Sequence, residues 1–285
     1  HHRSSAASDV YKRQFGRSFT NLKNDESPLW LKNRLIAVDQ RPISSIVDIT
    51  NYIMIDIGRP LHAYDIDKIK GTTLKISKSK KGDKFYALNG NTYELDDNML
   101  VISDEQSVDD LAGIMGGERT GVTENTTRMF LEAAIFDPVS IANTGRKLNL
   151  NSDARYRFER GLDYDSPETV MHYAAAMVNK ICGGKFSKIV NFKLEQKNRI
   201  IKFDPKIIYE LTGVNIENKL SKTILEKLGF KISSLDDIWD ITPPSWRPDI
   251  DGKADIVEEI IRIHGYEKIP STKLSRCNYI AKPAM

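Results

Sequence analysis

Apolar residues recur at helical spacing in some stretches of the chain and alternate with polar ones in others. From Ser44 to Ile57, residues Ile46, Ile49, Ile53 and Ile57 fall on one helical face, and Gly58 then Pro60 stop the helix. Ser27-Pro28 ahead of Leu29, Trp30, Leu31 and Leu35 predicts a shorter helix, with Ser as N-cap and Pro at the first helical position. Asp137-Pro138 opens a helix to about Leu148. Ser166-Pro167 opens another over Glu168 to Ile181, closed by Gly183-Gly184. Between these, Leu74–Ser77, Lys84–Leu88, Thr92–Leu95 and Met99–Ser103 read as strands, with Asn89-Gly90 as a type I′ hairpin turn. Val108 to Ile114 leads into Gly116-Gly117, where backbone must approach something closely or take positive φ. Thr127 to Ala133 is a short apolar strand with Glu132 near its end, and His62 falls in a loop after the Ser44–Ile57 helix.

The polar run Glu195–Asn198 marks a boundary near residue 197. Beyond it, strands are predicted at Ile200–Phe203, Lys231–Ser233 and Trp239–Thr242. Helices are predicted at Ile207–Leu211, at Ser221–Leu228 (stopped by Gly229) and at Lys253–His264 (stopped by Gly265). Trp246, in the Pro243–Pro248 turn, is expected in the core. The fold class is therefore α+β. Mixed sheets with flanking helices cover 28–196, a small second domain covers 197–271, and 272–285 begin a further module.

His1 to Gln14 has no periodicity and no apolar stripe. Asp9-Val10-Tyr11-Lys12-Arg13-Gln14 reads as a translated sequencing adapter, so the genuine chain is expected to start near Phe15, with 15–27 as linker. This changes the charge. The 285 residues carry a formal +3, but residues 1–14 hold Arg3, Lys12 and Arg13 against Asp9, leaving 39 basic to 38 acidic residues. Net charge therefore gives no pull toward polyanions. With 40% hydrophobic and 28% charged residues, collagenous, low-complexity and disordered classes are excluded. No apolar run approaches the ~18 residues of a membrane span. Two cysteines, Cys182 and Cys277, make no disulfide framework, so a cytoplasmic location is expected.

Phosphate-loop, dinucleotide-fingerprint and nucleophile-elbow motifs are absent, and His62, His172 and His264 lack zinc-ligand spacing. Asp255, Glu258 and Glu259 share one helix face, and Asp249 comes from the turn before it. Such a set suits either Mg²⁺ or a plain acidic helix start helped by the dipole. Arg146, Lys147, Arg155, Arg157 and Arg160 suit either nucleic-acid phosphates or a basic surface partly neutralised by Asp153 and Glu159.

Two long motifs carry a family resemblance. One runs from Arg41-Pro-Ile-Ser-Ser through Thr50-Asn51 to Gly58-Arg-Pro-Leu-His62-Ala-Tyr-Asp65. The other is Pro244-Ser-Trp-Arg-Pro-Asp249 with Asp255-Ile-Val-Glu258-Glu259 and His264-Gly-Tyr266. Between them lie Gly113-Ile-Met-Gly-Gly-Glu118, Phe130-Leu-Glu132 and Asn151-Ser-Asp-Ala-Arg155. From about Pro28 to Pro270 the chain resembles the β subunit of bacterial phenylalanine–tRNA ligase. The part covered resembles its B3/B4 editing domain followed by a winged-helix-like B5 domain.

The resemblance implies hydrolysis of misacylated tyrosyl-tRNA(Phe). His62, Glu132 and Arg41 would be catalytic, and Thr50, Asn51, Gly116, Gly117, Ser152 and Ala154 would bind substrate. The family pattern often has Thr where Ser152 stands. It also implies Mg²⁺ at Asp249, Asp255, Glu258 and Glu259, shared with an α subunit in an α2β2 heterotetramer, with ATP a substrate of the whole enzyme and tRNA(Phe) the nucleic acid. The chemistry is coherent. Tyrosine exceeds phenylalanine by one hydroxyl, which an apolar pocket rejects by only about 10². A second site can read that hydroxyl with an acceptor such as Glu132, while Gly116-Gly117 would offer backbone N–H groups to an oxyanion. The competing readings are a non-catalytic module docking tRNA and subunit, and a free-standing editing hydrolase.

Overall fold

A computed structural model describes residues 11–193, 199–234 and 237–273. Most of the expected adapter segment (1–10), Cys277 and the further module from 274 lie outside the described residues. The chain divides into two compact units between Gln196 and Lys197.

The first unit runs β1 (Tyr11–Thr20), α1 (Leu29–Ile36), α2 (Ser45–Ile57), β2 (His62–Asp65), β3 (Lys75–Lys78), β4 (Lys84–Tyr86), β5 (Thr92–Glu94), β6 (Leu100–Ser103), β7 (Val108–Leu111), β8 (Met115–Gly116), β9 (Met129–Phe136), α3 (Pro138–Lys147), α4 (Asp153–Phe158), α5 (Ser166–Cys182), β10 (Lys185–Phe186) and β11 (Val190–Lys193). One antiparallel sheet has the order β10-β1-β9-β2, with β11 also on β1. A second has the order β3-β6-β7-β8, and β4 pairs β5.

β9 organises this unit because it is buried on both faces, which is why it reads as one apolar run. Its Met129, Leu131 and Ala133 join a core with Ile46, Ile49 and Ile53 of α2 and Met171 and Ala174 of α5. Ala134 and Phe136 join a second core with Tyr64, Phe85, Leu111, Ile141 and Phe158.

Several expectations are corrected. Residues 15–20 are strand rather than linker, and β1 begins within the stretch read as adapter. Phe15 and Phe19 are fully buried on one face, and β9 pairs with β1 from Tyr11 to Phe19, with one irregularity between Tyr11 and Arg13. Ladder hydrogen bonds are made by backbone, so Tyr11–Gln14 can extend the strand although the apolar alternation starts only at Phe15. Ser27 does not cap α1; Pro28 holds that position, and the Ser27 hydroxyl donates to Asp48 Oδ2 at 2.6 Å. The β4–β5 turn is not type I′. Ala87 N donates to Asn91 O, leaving a three-residue loop in which Gly90 alone takes positive φ (79°). His62 lies in a strand and not in a loop.

The second unit runs β12 (Ile201–Phe203), α6 (Lys206–Thr212), α7 (Asn218–Lys227), β13 (Lys231–Ser234), β14 (Trp239–Thr242) and α8 (Lys253–His264). Its antiparallel sheet has the order β12-β14-β13, the β-α-α-β-β order suiting the winged-helix-like domain expected. Phe203, Leu225, Trp239, Ile241, Ile256 and Ile260 fill its core. The core tryptophan is thus Trp239. Trp246 is 57% exposed, its ring lying over Gly229, where a Cβ would come within 2.7 Å of it.

Candidate functional site

Strand register builds the site. On the face of β9 opposite Leu131, Glu132 stands beside His62 of β2 on one flank and Gly16 of β1 on the other. Gly16 is required there, because a Cβ would fall 2.2 Å from the Phe130 ring. His62 in turn rests on Gly116 of β8, where a Cβ would fall 2.3 Å from its Cε1. The imidazole meets Tyr64 edge-on, with centroids 4.3 Å apart.

The adjacent acids Asp109 and Asp110 of β7 have separate partners, as strand alternation requires. Asp109 joins Asp104 in holding Arg119. Asp110 accepts the Tyr64 hydroxyl at 2.9 Å and places Oδ2 3.8 Å from His62 Nε2. That nitrogen is buried without a hydrogen-bond partner, although the His62 side chain as a whole keeps 23% exposure. Glu132 accepts from the Gln14 side-chain amide.

His62, Asp110 and Glu132 share the walls of a cavity of about 100 Å³ with Leu61, Ile114, Phe136, Ala154 and Phe158. Arg59, fully buried, braces it. Its guanidinium donates to Ala134 O at 2.9 Å, to Asp163 O and to Ser166 Oγ, tying β9 to the start of α5. Burial pushes the Arg59 pKa down to about 10.

The electrostatics follow from burial. It pushes the Glu132 carboxyl up to about 7, with the Asp110 charge adding to the rise and the Gln14 hydrogen bond opposing it. Burial pushes Asp110 up to about 7 as well, against the Tyr64 hydrogen bond. It lowers the His62 pKa, against the pull of Glu132 and Asp109. At neutral pH the site therefore holds a neutral imidazole and two carboxyls near their midpoints, with no cation among its walls.

Of the residues expected here, His62, Gly116, Glu132 and Ala154 line the cavity. Arg41, Thr50, Asn51, Gly117 and Ser152 do not. Arg41 is exposed before α2, and the Thr50 hydroxyl donates to Val47 O within that helix. Gly117 donates its N–H to Asp109 O at 2.7 Å, so that donor is committed to the ladder and is no oxyanion ligand. Ser152 caps α4, accepting from Arg155 N and donating to Ile114 O. Sequence reasoning missed Asp110, Tyr64 and Arg59. The signal was Asp109-Asp110 inside an otherwise apolar strand, where two consecutive acids cannot both face solvent.

The basic cluster is largely neutralised. Lys147 pairs with Asp96, Arg157 with Asp153, and Arg155 and Arg160 with Glu159. Arg155 also crosses α3 at Gly145, where a Cβ would clash at 2.1 Å, to reach Leu150 O.

The expected Mg²⁺ ligands do not fit a metal. Asp249 is held by Arg247, and Glu259 by Arg247 and Arg262. Asp255 accepts from the N–H groups of Asp251 and Gly252 at the start of α8, and Glu258 is exposed. Among the described residues no three His, Cys, Asp or Glu side chains cluster as metal ligands, and no helix is long and apolar enough to cross a membrane.

A mixed α+β unit with a buried, acid-lined pocket, followed by a small helical unit on three strands, has clear relatives. The chain belongs to the B3/4 domain family, whose model matches residues 10–183, and a tRNA synthetase B5 domain matches residues 201–266. The first match begins ahead of Phe15, in keeping with β1.

The chain is similar to a region of phenylalanine–tRNA ligase β subunits. It is 43% identical over 270 residues to the phenylalanine–tRNA ligase β subunit of Novosphingobium aromaticivorans, covering 94% of this chain and 33% of that protein. It is 46% identical to those of Paramagnetospirillum magneticum (92% and 33% covered) and Bartonella henselae (93% and 33%). It thus spans about a third of the length of these relatives. A solved N-terminal fragment of the phenylalanyl-tRNA synthetase β subunit from Pyrococcus horikoshii matches at a TM-score of 0.41 and 17% identity, over 92% of this chain and 73% of that one.

Proposed function

We propose that this region hydrolyses tyrosyl-tRNA(Phe). It would act within a cytoplasmic β subunit whose α-subunit partner attaches phenylalanine using ATP in an α2β2 assembly. The observation that carries the reading is the convergence of His62, Glu132 and Asp110 on one cavity with aromatic walls. Phe136 and Phe158, packed on each other with ring centroids 5.2 Å apart, give the cavity an aromatic wall, and Glu132 is the acceptor for a phenolic hydroxyl. A phenylalanyl ring would offer that buried carboxyl no donor beyond those the fold already supplies. His62, kept neutral by burial, is a base for the attacking water. The B5 unit contributes assembly surface, and its acids contribute ion pairs in place of metal ligands.

The test is deacylation of tyrosyl-tRNA(Phe) by the chain. His62→Ala and Glu132→Ala should each lower the rate by about 10²–10⁴. If the intact chain and both variants hydrolyse at the uncatalysed rate, the hydrolase reading fails and a docking module remains.

A further inference from the structure

The strands that build the cavity bring together a residue that the family resemblance does not name. We infer that Asp110 is the positioning residue of this site: its carboxylate, anchored by the Tyr64 hydroxyl, accepts the Nε2–H of His62 and fixes the imidazole in one tautomer. The inference rests on the hydrolase reading only for its consequence in catalysis; the tautomer itself does not depend on it.

Three observations converge. First, His62 Nε2 is buried without a hydrogen-bond partner, and Asp110 Oδ2 stands 3.8 Å from it. A buried nitrogen left unpaired costs about 1–3 kcal/mol, so a short closure onto that oxygen is favourable. Hydrogen bonds of catalytic groups are commonly long before substrate binds.

Second, among the charged and titratable groups around the imidazole, Asp110 is the acceptor facing Nε2, and its Oδ2 can take a second donor beside the Tyr64 hydroxyl. From β7, Asp109 is neutralised by Arg119, which also holds Asp104. From β9, Glu132 lies on the side where β2 pairs and is engaged by Gln14. From β2, Tyr64 points its hydroxyl at Asp110.

Third, the ring is confined on two sides. Gly116 lies against Cε1 and the Tyr64 ring meets it edge-on, so Nε2 cannot readily swing away from Asp110. The Tyr64 bond, both partners buried, fixes the carboxylate in turn. The arrangement is hydroxyl to carboxylate to imidazole, in which the acid sets the tautomer and leaves the second ring nitrogen with its lone pair.

The experiment is ¹⁵N NMR of the histidine side chains in the intact chain at neutral pH, with His62 assigned by loss of its signal in His62→Gln. The Nε2–H tautomer should dominate in the wild type and be lost or mixed in Asp110→Asn, whose amide can donate as well as accept. An unchanged tautomer in Asp110→Asn overturns the inference. If Asp110→Asn fails to fold, Tyr64→Phe keeps the ring and removes only the anchoring hydroxyl. It should raise the Asp110 titration midpoint and weaken the tautomer preference, and no change in either overturns the inference. Deacylation measured alongside separates the two claims. A wild type without activity breaks the functional reading and leaves the tautomer result standing. An active wild type with Asp110→Asn equally fast overturns the positioning role, for which the expected loss is roughly 10²-fold or more.

Discussion

The two units treat their carboxylates in opposite ways. In the first, Glu132 and Asp110 are buried away from any cation and pushed up to about 7. In the second, Glu259 is comparably little exposed, yet hydrogen bonds from Arg247 and Arg262 hold it down at about 2. Surface exposure is alike; depth of burial and neighbours differ. A carboxyl near its midpoint at neutral pH can change hydrogen-bonding role, whereas one clamped by arginines is a fixed strut. The second set of acids is compact in sequence, with Asp255, Glu258 and Glu259 on one helix face. The first set is the one left near its midpoint, because the sheet gathers it from distant positions and leaves it unneutralised.

The sharpest way to break this contrast is through activity. His62→Ala and Glu132→Ala should each cost the 10²–10⁴ in tyrosyl-tRNA hydrolysis given above, whereas Glu258→Ala should change the rate by less than about twofold. The wild-type rate should rise with pH through about 7, as Glu132 ionises and becomes a pure acceptor. Glu132→Gln should lose that limb, and a profile flat from pH 5 to 9 would contradict the assignment.

The next effect is on stability in the second unit. Arg247→Ala should destabilise it by about 2–4 kcal/mol by stripping a partner from buried Glu259, read by urea unfolding followed through tryptophan fluorescence. The sign with pH is fixed. An acid whose folded pKa lies below its unfolded value contributes stability above about 4.5, and loses it as pH falls toward 2. The Arg247→Ala penalty should therefore shrink in acid.

In the first unit the sign reverses. A raised folded pKa means that ionising Glu132 opposes folding as pH rises from about 4.5 through 7. Glu132→Gln should then stabilise the first unit at pH 8, by up to about 3 kcal/mol, while slowing hydrolysis. Equal melting temperatures at pH 5 and pH 8 for wild type and variant would sink this. The smallest effect concerns metal. Millimolar Mg²⁺ should leave the unfolding of the second unit unchanged, within about 1 °C, because ligand binding stabilises only where a site exists.

Much of the architecture was legible because the informative signals were local. Gly58, Gly183, Gly229 and Gly265 stopped helices where the periodicity ended, and Asp137 caps α3 through Ser140 N as its position suggested. The misses were non-local. β1 was set aside because its first four residues carry no strand pattern, yet its pairing is dictated by β9. His62 read as loop because the four-residue β2 borrows its order from the same strand. In the site, His62, Glu132, Gly116 and Ala154 followed from family motifs. Asp110 and Arg59 could not, since their meaning lies in which side chains the fold sets against them. Ser152 and Gly117 belong to motifs for structural reasons, one capping a helix and the other closing a ladder.

The central position of β9 has a consequence in time as well as space. The β7–β8 hairpin sets one wall of the pocket locally, but the pocket closes only through pairing between segments far apart in sequence: His62 and Gly16 both await Glu132, and Ala154 and Phe158 follow later still. Such long-range closures come late in folding. During synthesis, when domains form from the N-terminal side, the first hundred residues hold His62 and no pocket. The capacity to discriminate a hydroxyl would therefore arrive all at once, after the second half of this unit has left the ribosome.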